Sequence, residues 1–411
     1  MSNAPWFLMF AFAAGCGSAS NPTAPEPLLE ALPRPLSAAE SRLIDAANDF
    51  SFALFREASR TLPLDANAFL SPMSASMALG MTMNGARGTT LEAMQEALRV
   101  PGVSQTEINA GYRGLMDLFT TLDKSSEVLV ANSVWLDQGF PVRAEFLAAA
   151  RESFAAEATT LDLQAPATLG TINGWVNEKT RSRIPKLLES IADEEIAFLV
   201  NAIYFKGKWR LPFDPERTTP RPFRSAAGGS HDVPTMSQDE QPIRLAQGNG
   251  FTAADLLYGN GAWAMTILLP AEGSTPAAVL AGLTPSTWRE LSASFQEVKV
   301  VLSLPRFKMD YSRSLVDDLR ALGMGIAFEP GRADFSGMAD VDPTSLFLTR
   351  VLQKAFVEVN EEGTEAAAAT VVGVGVTSAP PSFTVDRPFL FVIRERLSGT
   401  ILFMGQVNEL K

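Results

Sequence analysis

The sequence predicts a mixed α and β fold built as one large domain, without regular βαβ alternation. Three observations point there. Amphipathic helical spacing dominates the first hundred residues, and apolar strand-like runs dominate the rest. The 411 residues are 46% hydrophobic, enough for a large core. After residue 38 no long linker divides the chain, and no internal repeat occurs.

Each element has a local reason. Residues 41–59 place Leu43, Ala46, Ala47, Phe50, Ala53 and Leu54 at helical spacing, so a first helix packs on a core. Ser71 suits a helix cap and Pro72 a first helical turn. Leu79, Met81 and Met83 continue that helix, Gly85 and Gly88 end it, and 90–98 starts another. The methionines read as core filler. Residues 126–136, with Val128, Leu129, Val134 and Trp135, form a long strand. Residues 171–188 begin helical and turn basic at Lys179-Thr-Arg-Ser-Arg183. Residues 196–205 are apolar except Asn201, which fits a central strand buried on both faces, closed by Gly207 and Trp209. Further strands are expected at 263–269, 296–304, 351–360, 389–393 and 400–404, and an amphipathic helix at 314–323.

The N-terminus has its own logic. Trp6 to Ala14 is an apolar run too short to span a bilayer as a helix, and it fits a signal-peptide core. Phe12-Ala-Ala-Gly-Cys16 resembles a bacterial lipoprotein signal, in which the cysteine carries lipid and becomes the first mature residue. That implies a signal peptide at 1–15 and a lipidated Cys16 as the membrane contact. The protein is then lipid-anchored in the cell envelope, facing the periplasm or the cell surface; without the lipid it is secreted. Cys16 is the only cysteine, so no internal disulfide forms. The Pro-, Ala- and Ser-rich stretch after it makes 16–38 a spacer, and the folded domain is 39–411.

Several chemistries are disfavoured. The formal charge is −12, from 34 basic and 46 acidic residues, so nucleic acid is not an expected partner. Arg217, Arg221 and Arg224 are spaced through a loop and read as solvated surface. The one histidine, His231, lies in a turn-rich stretch and reads as a surface loop residue. One His and one Cys cannot make the usual zinc sets. No Gly-x-Ser-x-Gly elbow, Walker loop or dinucleotide fingerprint occurs. Asp193, Glu194 and Glu195 are adjacent, which suits a helix cap or solvated turn better than a paired-carboxylate hydrolase. Glu358, Glu361, Glu362 and Glu365 do not have EF-hand spacing. No metal or cofactor is expected.

Residues 361–380, EEGTEAAAATVVGVGVTSAP, are the most informative stretch. The segment is long, lacks large side chains, and interrupts strands that belong to one core. Its alanines favour a helix, whereas the following valines and glycines favour extended chain. Such a segment suits two homes, a surface loop and a place in a sheet.

Asn201-Ala-Ile-Tyr-Phe-Lys-Gly-Lys-Trp209 and Glu358-Val-Asn-Glu-Glu-Gly-Thr-Glu-Ala-Ala-Ala-Ala369 together resemble the serpin family. Phe69-Leu-Ser-Pro-Met-Ser74, Asn84-Gly-Ala-Arg-Gly88, Ala131-Asn-Ser-Val-Trp135, Ile172-Asn-Gly-Trp-Val176, Leu304-Pro-Arg-Phe307, Ala333-Asp-Phe-Ser-Gly337 and Asp386-Arg-Pro-Phe389 follow the family in order. The likeness covers about 39–411. It implies the serpin fold, with three β-sheets, about eight to nine helices and an exposed reactive-centre loop at 361–381.

The resemblance further implies a suicide inhibitor, not an enzyme, that is monomeric before reaction. A serine protease forms a covalent acyl-enzyme with the loop, and the cut loop enters the large sheet as a strand; a cysteine protease is a further partner class. Counting 17 residues from Glu361 places the reactive bond at Thr377–Ser378, with Val376–Thr377 as the alternative. The implied hinge is Glu361, Glu362, Gly363, Thr364, Glu365, Ala366, Ala367, Ala368 and Ala369. The implied sheet-opening region is Ser71, Ser74, Asn201, Trp209 and Gln353. Gln353 stands where the family usually has histidine; it can donate and accept hydrogen bonds but cannot act as a proton-dependent switch. A small, uncharged Thr377 favours an elastase-like or subtilisin-like target. The alternative is a non-inhibitory serpin acting as a binding or chaperone-like protein.

Overall fold

The computed structural model describes residues 27–192, 195, 197–342, 344–364 and 381–411. Its helices are α1 (Ala38–Arg60), α2 (Pro72–Thr82), α3 (Gly88–Ala97), α4 (Gln105–Phe119), α5 (Ala144–Phe154), α6 (Thr168–Lys179), α7 (Pro276–Ala281), α8 (Pro285–Ser294) and α9 (Val316–Leu319). Ser37 and Glu40 cap α1 reciprocally, and its buried Leu43, Phe50 and Leu54 sit at the predicted helical spacing. Ser71 caps α2 through the Ser74 amide, with proline in the first turn.

The strands form two hydrogen-bonded networks. The first half of the chain supplies β1 (Ala68–Leu70), β2 (Ser126–Asp137), β3 (Glu157–Leu161), β4 (Ala197–Lys208), β5 (Thr219–Arg224) and β6 (Ser230–Gly248). Next come β7 (Phe251–Leu257), β8 (Trp263–Pro270), β9 (Gln296–Pro305), β10 (Phe307–Ser314) and β11 (Leu352–Asn360). The last are β12 (Gly363–Thr364), β13 (Ser382–Thr384), β14 (Phe389–Glu395) and β15 (Ile401–Val407). One sheet is six-stranded, in the order β10-β11-β12-β4-β2-β3. The other is nine-stranded, in the order β1-β15-β14-β8-β7-β6-β9-β13, with β5 on β6.

The three expected sheets can be read within these two networks. Strand β6 shifts register between Gln238 and Gln241. Before the shift it pairs with β5 and with the end of β9 that carries β13. Beyond the shift it pairs with β7 and the start of β9. The two long strands therefore join a small sheet to a larger one.

The sheets meet across aromatic rings. Phe69 stacks on Phe391 and Phe403, and Phe307 of the six-stranded sheet lies 5.1 Å from Phe391. On the opposite face, Trp175 of α6 meets Trp135 edge-on at 5.9 Å, beside buried Phe198 and Val200 of β4. Strand β4 is thus covered on both sides, which accounts for its nearly continuous apolar sequence.

Some expectations change. The helix expected at 314–323 is regular only over Val316–Leu319, because Gly323 takes φ 97° and the chain widens and then tightens into successive turns. After Lys179 the basic stretch leaves the helix, with Arg181 and Ser182 at positive φ. His231 lies on β6 rather than in a loop, exposed and 3.2 Å from Glu409. Glu195 is not solvated; it is buried, paired with Arg350 and bonded by the Ala192 amide at 2.7 Å. The described part of the expected spacer lies on the body: the Leu29 amide donates to the Asn260 carbonyl at 2.8 Å, and Leu29, Leu32 and Leu36 pack on the core.

Candidate functional site

Strand β11 ends at Asn360, turns through Glu361 and Glu362, and returns as β12. Thr364 pairs with Val359 on one side and Gly207 on the other. Gly363 pairs with Asn360 and Lys208. Strand β12 is antiparallel to both neighbours, so β4 and β11 run parallel, and among the described residues β12 is what joins them. The chain that continues past Thr364 therefore starts from inside the six-stranded sheet.

Backbone and side-chain contacts hold this turn. The Trp209 amide donates to the Glu362 carbonyl at 2.8 Å, and the Phe213 amide donates to the Glu361 carbonyl at 2.7 Å. The Trp209 indole N–H donates to the Asn360 carbonyl at 2.8 Å. The Glu361 carboxylate is buried and accepts from Arg306 at 2.5 Å and from the Thr218 hydroxyl. Thr364 is buried and its hydroxyl shares a 2.8 Å hydrogen bond with the Tyr258 phenol. Burial pushes that phenol well above its ordinary range, with the Thr364 bond acting in the opposite direction. Tyr258 stacks on Trp209, with ring centres 4.4 Å apart, and meets Phe205 edge-on at 4.9 Å.

Two glycines make the approach possible. A Cβ on Gly363 would lie 2.1 Å from the Gly207 carbonyl oxygen, and its φ is 150°. A Cβ on Gly207 would lie 2.7 Å from the Tyr258 ring. Neither position has room for a side chain without moving backbone or a packed aromatic.

Seven residues back along β11 from Asn360, roughly 23 Å for an extended strand, Gln353 forms a second cluster. Its Nε2 donates to the Ser71 carbonyl at 2.7 Å, and its Oε1 accepts from the Ser71 amide at 2.9 Å. The Ser71 hydroxyl donates to the Leu402 carbonyl at 2.8 Å and accepts from the Ser74 amide at 3.3 Å. Gln353 uses both functions of its amide, locking β11 to the start of α2.

The structure thus gathers the expected residues into two places. Glu361, Glu362, Gly363, Thr364 and Trp209 meet at one end of β11, and Ser71, Ser74 and Gln353 meet near the other. The backbone of Asn201 lies in β4 opposite Asn132 of β2. Cys16, Glu365, Ala366, Ala367, Ala368, Ala369, Val376, Thr377 and Ser378 lie outside the described residues. Tyr258, Phe213, Thr218 and Arg306 were not singled out from the sequence. Arg306 lies inside the matched Leu304–Phe307 stretch, but nothing local signals that Tyr258 reaches Thr364.

Comparison with known proteins agrees with this architecture. The profile of the family described as Serpin (serine protease inhibitor) matches residues 45–410. Glia-derived nexin of Rattus norvegicus is 33% identical over 378 residues, covering 89% of this chain and 93% of the relative. Leukocyte elastase inhibitor of Bos taurus is 36% identical over 356 residues, covering 84% and 93%. The crystal structure of the thermophilic serpin tengpin in its native state superposes with a TM-score of 0.82 at 28% identity, covering 93% of this chain and 98% of that one. The chain belongs to the serpin family, which is described as one of serine protease inhibitors and not of enzymes.

The geometry makes Thr364 a sensitive point. Thr364→Arg puts a long charged group where the side chain is 2% exposed. The 363–364 pair should leave the sheet, so amides of a peptide spanning 360–364 should exchange hydrogen at least about tenfold faster than in the wild type. Unchanged exchange in a folded variant would contradict the packing described for Thr364.

Proposed function

We propose that the protein is an inhibitory serpin that traps a serine protease on Thr377. The protease serine oxygen attacks the Thr377 carbonyl carbon, the bond to the Ser378 nitrogen breaks, and Ser378 leaves as a free amine. Thr377 stays joined to the protease as an ester. The segment after Thr364 then continues the course that β12 has begun between β4 and β11, carrying the protease with it. Water hydrolysing the ester competes with that insertion. The observation that carries this reading is the seating of Gly363 and Thr364 between the two parallel strands.

The residues past Thr364 suit the task. Ala366 to Ala369 bring no bulk or charge, and the only charge in the stretch before Thr377 is Glu365. Gln353 and Ser71 fasten β11 to α2 through two hydrogen bonds, and Asn201 on β4 belongs with them in the region that must yield. Thr377 is small and uncharged, with Val376 before it. A trypsin-like pocket would bury its carboxylate without a partner, whereas a shallow apolar pocket accepts this side chain. The target is therefore elastase-like or subtilisin-like.

Incubation with elastase, subtilisin, trypsin and papain, followed by denaturing electrophoresis, tests the reading. We expect a covalent complex with elastase or subtilisin, with the released peptide beginning at Ser378, and little with trypsin. Thr364→Arg should be cut with most of its complex yield lost, because insertion slows while the bond stays accessible. Cleavage of the wild type without any complex would favour a non-inhibitory binding protein. Trapping of trypsin alone would overturn the assignment of Thr377, and trapping of papain would add cysteine proteases to its targets.

We also infer a lipid anchor at Cys16, resting on the apolar run and the small residues before it. One acyl chain binds a membrane marginally and two or more bind it stably, so the anchor requires multiple chains. The inhibitor then guards the cell envelope against external proteases. Expressed as the full chain in a bacterial host, the wild type should fractionate with membranes and carry lipid mass on its mature N-terminus, and Cys16→Ser should be soluble. An unmodified Cys16 would remove the anchor from this account.

A further inference from the structure

The segment before α1 lies on the body, although its composition reads as a spacer. Residues 27–36 are PLLEALPRPL. The prolines narrow the conformations of the free chain, so ordering it costs less than ordering a flexible linker. Leu29, Leu32 and Leu36 pack on the core. At the α1 end, Arg34 donates to the Glu40 carboxylate at 2.8 Å and to the Gly114 carbonyl at 3.0 Å.

At its other end the segment meets the 258–262 turn, which joins β7 to β8. The Leu29 amide donates to the Asn260 carbonyl at 2.8 Å. Leu28 sits on Gly261, where a Cβ would come within 2.4 Å of the leucine Cδ1. Arg396 joins segment and turn. Its Nε donates to the Gly261 carbonyl at 2.5 Å, and its Nη2 donates to the Leu29 carbonyl. Its backbone amide donates to the Ala262 carbonyl at 2.8 Å. The planar fork of one guanidinium thus grips both chains at once.

The same turn carries the hinge contact. Tyr258 is its first residue, and the buried phenol bonds Thr364 while the ring stacks on Trp209. The Gly259 amide donates to the Lys208 carbonyl at 2.9 Å, and Lys208 is the β4 partner of Gly363. A shift of the turn is therefore felt on both residues of β12. Hairpin tips open locally more readily than packed strands, and fastening this tip at Asn260, Gly261 and Ala262 suppresses such openings.

We propose that residues 28–36 form a strap that acts through Arg396 and the 258–262 turn to hold Tyr258 on Thr364, and so keeps the loop hinge seated in the sheet. The hold stands on the intact structure. Its consequence for trapping rests on the loop-insertion reading, in which a seated Thr364 gives insertion its start in the race with hydrolysis.

Hydrogen exchange of the intact full chain tests the hold without any protease. Leu29→Asp combined with Leu32→Asp puts two charges where the strap packs, outside every described helix and strand, so the domain should still melt cooperatively. Peptides spanning 258–262 and 360–364 should then exchange at least about threefold faster than in the wild type, while a peptide from α6 should not change. Arg396→Lys keeps the charge but loses the fork, and should accelerate the same two peptides. In a Tyr258→Phe background, which keeps the ring and removes the hydroxyl, the strap substitutions should add no further acceleration at 360–364, because the route to Thr364 is already cut. Unchanged exchange at 360–364 in a folded strap variant would overturn the hold on the hinge. An undiminished acceleration in the Tyr258→Phe background would overturn the route through the phenol. With a protease that the wild type traps, the strap variant should lose complex and gain cleaved, uncomplexed inhibitor; equal yields would overturn the consequence for trapping. Exchange decides the strap whether or not any protease is trapped, so its failure is distinct from failure of the inhibitor reading.

Discussion

The pairing of Gly363 and Thr364 between β11 and β4 sets the geometry of everything around them. The chain enters between these parallel strands at Gly363, whose φ of 150° would drive a Cβ into the Gly207 carbonyl. Gly207 answers from β4 by leaving space for the Tyr258 ring. Tyr258 then closes the back of the site on Thr364, and Trp209 caps the turn with both its backbone and its indole. Replacing any one of these groups with a bulkier one disturbs several others.

The two clusters on β11 oppose and complement each other. At the Asn360 end, the turn is held by Trp209, Phe213, Arg306 and Thr218, which favour keeping the loop seated as far as Thr364. At the Gln353 end, a two-point amide contact ties β11 to α2. In the proposed insertion, β11 and β4 would have to accommodate chain between these two points, and the Gln353 contact would resist it. Because a glutamine amide does not titrate, that resistance carries no proton-dependent term from residue 353.

Much of this was legible in the sequence. The helical spacing of Leu43, Phe50 and Leu54 gave α1, the Ser71-Pro72 pair gave the start of α2, and the apolar run up to Phe205 gave a strand covered on both faces. Strands β5 and β6 were harder to see, because Pro222, Pro234 and Pro242 interrupt the strand pattern and a register shift splits β6. The helix expected at 314–323 failed at Gly323, where a positive φ ends regular turns. At the site, the ordered family stretches led to Trp209 and Thr364, and the position of the family's usual histidine led to Gln353. Tyr258 stayed hidden, since its importance comes from a contact across more than a hundred residues. No local periodicity encodes such contacts.

The central claim is that the loop beyond Thr364 completes a strand between β4 and β11 once it is cut. The most direct measurement is the melting temperature of the intact protein against the same protein cleaved within 374–379 with both fragments retained. An added central strand brings hydrogen bonds and packing that the intact form lacks, and for a chain of 411 residues each kcal/mol moves the midpoint by about 1 °C. The account predicts a rise of at least about 5 °C on cleavage. An unchanged or lower melting temperature would contradict it.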